Sequence, residues 1–138
     1  MSNSIQQFLN SSSFAVAGAS QNPAKYGYKV FVALKSSGRQ VYPLNPVATE
    51  IAGQPAFATL QDLPVQPEAL SIITPPEVTK KVVDSAIAAG VHHIWMQPGA
   101  EEPSASKAAR AAGINVIDDG SCILVSLSLE ANKRKSTN

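Results

Sequence analysis

Apolar residues in this chain fall in short runs that alternate with stretches of helical spacing. Residues 14–17, Phe-Ala-Val-Ala, form a continuous apolar run ending at Gly18, the pattern of a strand buried on both faces. Over residues 29–37, Val30, Phe31 and Leu34 recur at helical spacing, and Gly38 ends the stretch. Residues 40–42 lead a second strand into Pro43-Leu-Asn-Pro46. Residues 55–57 predict a short strand, placed at a sheet edge because Pro55 has no N–H for a ladder. Thr59 is placed to cap a short turn over 60–63, with Asp62 inside it, and Ile5, Phe8 and Leu9 predict a brief leading helix over the sheet.

The second half repeats the alternation. Residues 69–73 are an apolar strand. Thr74-Pro75-Pro76-Glu77 then predicts a helix start, with Thr74 as N-cap, Pro75 as the first helical residue and Glu77 three residues after the cap. Val78, Val82 and Ala86, flanked by Val83 and Ile87, give that helix an apolar face, and Gly90 ends it. A strand over 91–96, an alanine-rich helix over 101–112 stopped by Gly113, and a last strand over 114–117 complete the pattern. Strands alternating with helices imply parallel pairing, right-handed crossovers and helices on both faces. The expected fold is a doubly wound α/β domain, a Rossmann-like three-layer α/β/α arrangement with strand order 3-2-1-4-5.

Composition narrows the class. The chain has 138 residues, 44% of them hydrophobic and only 15% charged, with a net charge of +1. That length supports a single core without staples, and the low charge excludes a disordered or acidic solvating chain. The near-zero balance offers no electrostatic case for nucleic acid or a membrane surface. One cysteine excludes a disulfide framework and a cysteine-built zinc cage. The first residues lack the basic and apolar regions of a secretory signal, and no apolar run approaches a membrane span, so the expected location is the cytoplasm. Residues 1–131 are expected to form the domain, and residues 132–138, with Lys133, Arg134 and Lys135, a flexible basic tail.

In open parallel sheets ligands bind at the carboxyl ends of the strands, beside the switch point in strand order. The predicted strand ends carry Gly18-Ala-Ser20, Pro43-Leu-Asn-Pro46, Thr74-Pro-Pro76 and Gln97-Pro-Gly99. After the first strand, Gly18 lets backbone approach a diphosphate, Ser20 has a hydroxyl to donate, and Lys25 has a charge to supply. The same turn also serves as a plain strand-to-helix connection without a ligand. Asn45 stands where dinucleotide sites place an acid for the ribose, and no acid follows until Glu50. This departs from an NAD site and suits a nucleotide whose ribose is phosphorylated, although Asn45 between prolines also reads as a turn residue. Arg39 lies at the other end of its strand and is expected on the surface.

His92 and His93 are adjacent, so in a strand they face opposite ways and cannot share a metal. Asp118 and Asp119 are too few to make a metal site, and Asp118 is read as shaping the pocket floor. Cys122 is either a small buried hydrophobe or a thiol close enough to a ligand thiol for a mixed disulfide. No catalytic residue and no metal ligand is assigned.

Gly-Ala-Ser-Gln-Asn-Pro-Ala-Lys-Tyr-Gly (18–27), Val-Tyr-Pro-Leu-Asn-Pro (41–46), Thr-Pro-Pro-Glu (74–77), Ile-Trp-Met-Gln-Pro-Gly (94–99) and the late Asp…Cys together resemble the stand-alone CoA-binding proteins, the YccU-like family. That family is similar to the CoA-binding domain of the succinyl-CoA synthetase alpha subunit. The resemblance spans roughly residues 14–122 and implies coenzyme A or an acyl-CoA as ligand. It implies that Gly18, Ala19, Ser20 and Lys25 hold phosphates, with Tyr26 and Gly27 closing the turn. Asn45 and Pro46 are implied at the adenosine end, Thr74, Pro75 and Pro76 along the middle, and Gln97, Pro98 and Gly99 on the pantetheine side. Family members often carry a basic residue directly before the cysteine, whereas here Ser121 precedes Cys122. The synthetases' phosphohistidine domain has no counterpart, so the expectation is a binder of a small nucleotide ligand without chemistry of its own. An NAD(P)-dependent oxidoreductase, an acyl-CoA-handling enzyme subunit and a regulatory module are the alternatives. Neither nucleic acid nor membrane is expected as a partner, and a protein partner is left unassigned.

Overall fold

Glycine and proline cut the chain into segments too short to do anything but pair or pack, and one parallel sheet collects them. The computed structural model describes residues 3–136. In chain order the elements are α1 (Asn3–Leu9), β1 (Phe14–Ala17), α2 (Tyr26–Ser36), β2 (Val41–Leu44), β3 (Glu50–Ile51), β4 (Gln54–Pro55), a 3₁₀ turn (Leu60–Asp62), β5 (Ala69–Ile72), α3 (Pro76–Ala89), β6 (His93–Met96), α4 (Pro103–Ala111), β7 (Asn115–Ile117) and α5 (Ile123–Ser136). Five strands pair in the order β2-β1-β5-β6-β7, every pair parallel. β1 and β5 are buried at every position, as continuous apolar runs in a sheet covered on both faces require.

Side-chain alternation sends Phe14 and Val16 to one face and Ala15 and Ala17 to the other. On the first face, Phe8 of α1 meets the Phe14 and Trp95 rings edge-on at 5.6 and 5.3 Å, beside Phe31 and Leu34 of α2 and Ile123 of α5. On the second, Val83 and Ala86 of α3 and Ala105 and Ala109 of α4 pack against Leu70, Ile72, Ile94 and Met96. The three-layer architecture is the one expected. The outermost expected strand, 55–57, is reduced to a single parallel bridge, Leu44 with Phe57, and its first residue, Pro55, instead pairs antiparallel with Glu50 in the β3–β4 hairpin. Thr59 caps no backbone N–H; its hydroxyl donates to Asp62 Oδ2 at 2.9 Å.

The start of α3 corrects the sequence reading. Pro75, not Thr74, occupies the N-cap position, with an extended backbone (φ −58°, ψ 150°), and the helix begins at Pro76. A residue preceding proline is sterically kept out of the α region, so Pro75 cannot serve as the first helical residue. The buried stripe of α3 is also turned by one position. Thr79, Val83 and Ala86 face the sheet, while Val78 is 39% exposed and Val82 half-buried. Thr79 tolerates burial because its hydroxyl pairs with Thr74 Oγ1 at 2.8 Å and reaches the Pro75 carbonyl at 3.3 Å.

α5 was not predicted at all. Among its described side chains it buries Ile123 and Leu127, with Leu124 packed half-buried beside them, too thin a stripe to stand out from its serines. It carries the chain through Ser136, into the stretch from Asn132 read as a tail; residues 137 and 138 lie outside the described residues. Arg39, expected on the surface, is largely covered. Its guanidinium forks onto both carboxylate oxygens of Glu130 in α5 (3.0 and 2.9 Å) and donates to the Leu9 carbonyl at the end of α1.

Candidate functional site

Strand order puts the switch point between β1 and β5, since the chain leaves β1 for β2 on one side and returns to β5 on the other. Gly18 closes β1 there with φ +89°, and a Cβ on it would lie 1.9 Å from the Ile73 carbonyl oxygen. Gly27, in the first turn of α2, would put a Cβ 2.0 Å from the Gly18 carbonyl oxygen. The two glycines therefore bring α2 directly against the turn, and the helix starts at Tyr26 rather than at the expected Lys29. Between them the loop holds itself. Ser20 Oγ accepts from the Asn22 N–H at 3.1 Å, and Asn22 Oδ1 accepts from the Ala24 N–H at 3.0 Å.

Two cavities open along this edge. One, of about 600 Å³, is lined by Tyr26, Pro98, Gly99, Ala100 and Cys122. The other, of about 400 Å³, is an apolar groove between Leu44, Asn45 and Pro46 at the end of β2 and Val78, Lys81, Val82 and Ser85 of α3. Ile73, Thr74 and Pro75 line both, so the two cavities adjoin at the switch point as neighbouring parts of a groove. Gly18 lines the second.

A polar network closes the floor of the first cavity. Gln97 is fully buried; its Oε1 accepts from Tyr26 Oη (3.1 Å) and from the Ile123 N–H that opens α5 (2.9 Å), and its Nε2 donates to Ser71 Oγ (3.2 Å). Tyr26 Oη also lies 2.6 Å from Cys122 Sγ. Burial pushes the Tyr26 pKa well up, and the Cys122 hydrogen bond and charge push it further, so Tyr26 is a neutral phenol across the physiological range. Trp95 Nε1 donates to the Ser121 carbonyl at 2.9 Å, fixing the loop before Cys122.

Of the residues singled out in the sequence, Gly18, Tyr26, Asn45, Pro46, Thr74, Pro75, Pro98, Gly99 and Cys122 line the groove. Ala19, Gly27 and Gln97 are buried beneath it. Ser20, Lys25 and Pro76 are not among its lining residues. Asn45 proves to be a turn residue as well as a wall. Its Nδ2 donates to the Ala19 carbonyl (2.9 Å) and its Oδ1 accepts from the Val47 and Ala48 N–H groups (both 2.8 Å). Asp118 does not shape the groove; it pairs with Arg110 at 3.0 Å. Burial opposes ionisation of Asp118, but the Arg110 hydrogen bond and charge outweigh it and hold its pKa low. His92 and His93 line a separate cavity at the opposite, amino edge of the sheet. Among the described residues no cluster of His, Cys, Asp or Glu is arranged to hold a metal ion, and no helix is long and apolar enough to cross a membrane.

Sequence reasoning missed the α3 wall. Val78 and Val82 carried a signal, but it was assigned to the core; Lys81 and Ser85 carried none.

A family model described as a CoA binding domain matches residues 12–128. The alpha subunit of an ADP-forming acetate–CoA ligase II from Pyrococcus furiosus is 34% identical over 80 residues, 57% of this chain and 18% of the relative. The chain thus covers less than a fifth of the curated relatives it matches. A conserved hypothetical protein from Pyrococcus furiosus superposes with a TM-score of 0.77 at 36% identity, over 83% of this chain and 97% of that one. A dinucleotide-forming acetyl-coenzyme A synthetase 1 from Ca. Korarchaeum cryptofilum, in complex with phosphate and ADP, superposes with a TM-score of 0.74 at 28% identity, over 84% of this chain and 27% of that one.

Proposed function

This chain belongs to the CoA-binding domain family, and from that premise we propose that it binds coenzyme A or an acyl-CoA in the groove at the carboxyl ends of its parallel strands. The observation that carries the proposal is that the two cavities adjoin, with Ile73, Thr74 and Pro75 lining both. A long ligand with an apolar-faced base at one end and a thin flexible arm at the other fits a groove of that form. The adenosine end lies in the apolar groove between Pro46 and α3. The diphosphate crosses the turn at Gly18, where the backbone is bare and the N-terminus of α2 begins, with Ser20 and Lys25 at its outer side. The pantetheine arm runs past Pro98 and Gly99 toward Tyr26 and Cys122.

The proposed role is binding rather than turnover. Among the described residues that line the groove, Cys122 is the one strong nucleophile and no His, Asp or Glu stands beside it. The ligase chemistry of the longer relatives is not part of the proposal.

Thermal melting with CoA, acetyl-CoA, NAD and NADP at equal concentration tests it. Ligand at a hundred times its Kd adds about 2.7 kcal/mol, roughly 10 °C in Tm for a chain of this size. CoA or acetyl-CoA is expected to give the largest shift. An equal or larger shift with NADP removes the CoA reading, and native mass spectrometry of the purified protein identifies any retained ligand directly.

A further inference from the structure

The proposed ligand carries a phosphate on its adenosine ribose, and within the site sketched above nothing has yet been assigned to hold it. Around the adenosine end the expected hydrogen-bonding groups are already engaged. Asn45 has spent both ends of its amide on the Ala19 carbonyl and on the Val47 and Ala48 N–H groups. The Thr59 hydroxyl is given to Asp62. No acid lines either cavity among the described residues, so the groove has no carboxylate acceptor for a free ribose diol. One charged side chain does line it, Lys81 on α3.

Lys81 is uncommitted. It takes part in neither of the ion pairs found among the described residues, Arg39–Glu130 and Arg110–Asp118. Glu77 one turn before it and Asp84 one turn after it share the helix, yet neither closes an ion pair with it. Its neighbour Lys80 faces elsewhere: it lies outside the groove lining, and its charge helps lower the pKa of Glu102 at the start of α4. A rotation of about 100° per helical residue separates the two lysines, so α3 presents one cation to α4 and one to the groove. Val78 and Val82 flank Lys81 on the groove side, so an adenine laid against them leaves its ribose substituents beside the ammonium group.

We propose that Lys81 is the specificity residue that selects a ribose-phosphorylated adenine nucleotide, pairing its ammonium group with the 3′-phosphate of CoA. This assignment rests on the CoA reading and names the group that separates CoA from its 3′-dephosphorylated form. A lysine acts here as a point charge on a flexible stem, suited to a phosphate at the mouth of a groove and to no particular approach angle.

The test is calorimetric titration of wild type, Lys81→Gln and Lys80→Gln with CoA and with 3′-dephospho-CoA, at low and at high salt. The site is partly solvated, so wild type is expected to bind CoA roughly five- to tenfold more tightly than dephospho-CoA at low salt, and less so at high salt. Lys81→Gln should abolish that preference while leaving affinity for dephospho-CoA unchanged, and Lys80→Gln should keep it. Equal wild-type affinity for the two ligands, or a preference that survives in Lys81→Gln or is lost in Lys80→Gln, overturns the assignment alone. Binding of neither ligand by a folded wild-type protein overturns the CoA reading and the assignment with it.

Discussion

Replacing Gln97 by Leu separates a structural amide from a ligand contact. The side chain is fully buried and makes three hydrogen bonds, to Tyr26 Oη, the Ile123 N–H and Ser71 Oγ. Leucine nearly fills the same volume and makes none of them. The Ile123 N–H sits in the first turn of α5, where no intrahelical carbonyl is available to it. Leaving it buried and unpaired costs about 1–3 kcal/mol, and freeing the Ser71 hydroxyl adds roughly 1 kcal/mol. Tyr26 keeps Cys122 as a partner and loses less. The greater apolarity of leucine returns about 1 kcal/mol, so the net destabilisation is about 1–3 kcal/mol, a fall in Tm of roughly 4–12 °C. Urea unfolding monitored by Trp95, whose ring is buried against Phe8, reads it directly. A Gln97→Leu protein as stable as wild type would refute the reasoning. So would one that keeps its stability and loses CoA affinity, because the amide would then face the groove rather than tie α5 to the sheet.

Gly27→Ala is expected to lower stability by about 3 kcal/mol or more, since its Cβ would sit 2.0 Å from the backbone carbonyl of Gly18 and no side chain can yield. An unchanged melting temperature would mean that α2 does not need to touch the first turn. Stability should also fall on mild acidification through His93. Asn115 Nδ2 donates to the Ser4 carbonyl at 2.9 Å, which orients the amide, and sits 3.1 Å from His93 Nδ1, which is therefore the acceptor on a neutral ring. Burial, then the neighbouring His92 charge, holds the His93 pKa below its ordinary 6.5. The unfolded chain binds that proton more readily, so this contribution is fully present above pH 6.5 and is lost as pH falls from there through the lower folded value. His93→Gln should flatten the slope of stability between about pH 7 and 5; an unaltered slope would assign it to other groups.

The apolar runs of the five main strands, their parallel pairing and the order of the central four were legible because a parallel sheet covered on both faces demands continuous apolar runs, and helices between them demand a 3.6-residue period; the edge strand was misplaced, since 55–57 gives only a bridge and 115–117 takes the far edge. Gly18, Thr74, Pro98 and Gly99 were legible for the same reason, since strand ends are marked by residues that stop strands. The α3 stripe was not. Val78 and Val82 fit helical spacing as well as Val83 and Ala86 do, and hydrophobicity alone does not say whether an apolar residue faces a core or an open groove. The start of α3 is set by a local rule, extended backbone before Pro76, that the sequence itself carries.

Local periodicity and backbone chemistry thus determined, from sequence alone, the class of fold and the residues at the strand ends along which the groove opens. They did so because those properties depend on neighbours in the chain. What only the tertiary structure decided depends on neighbours in space. Gly27 must be glycine because Gly18 passes beside it. Gln97 turns inward because Tyr26, Ser71 and Ile123 converge on it from three other elements. Lys81 rather than Lys80 reaches the groove because Thr79, with its hydroxyl satisfied at the helix start, is free to turn toward the sheet and set the rotation of α3.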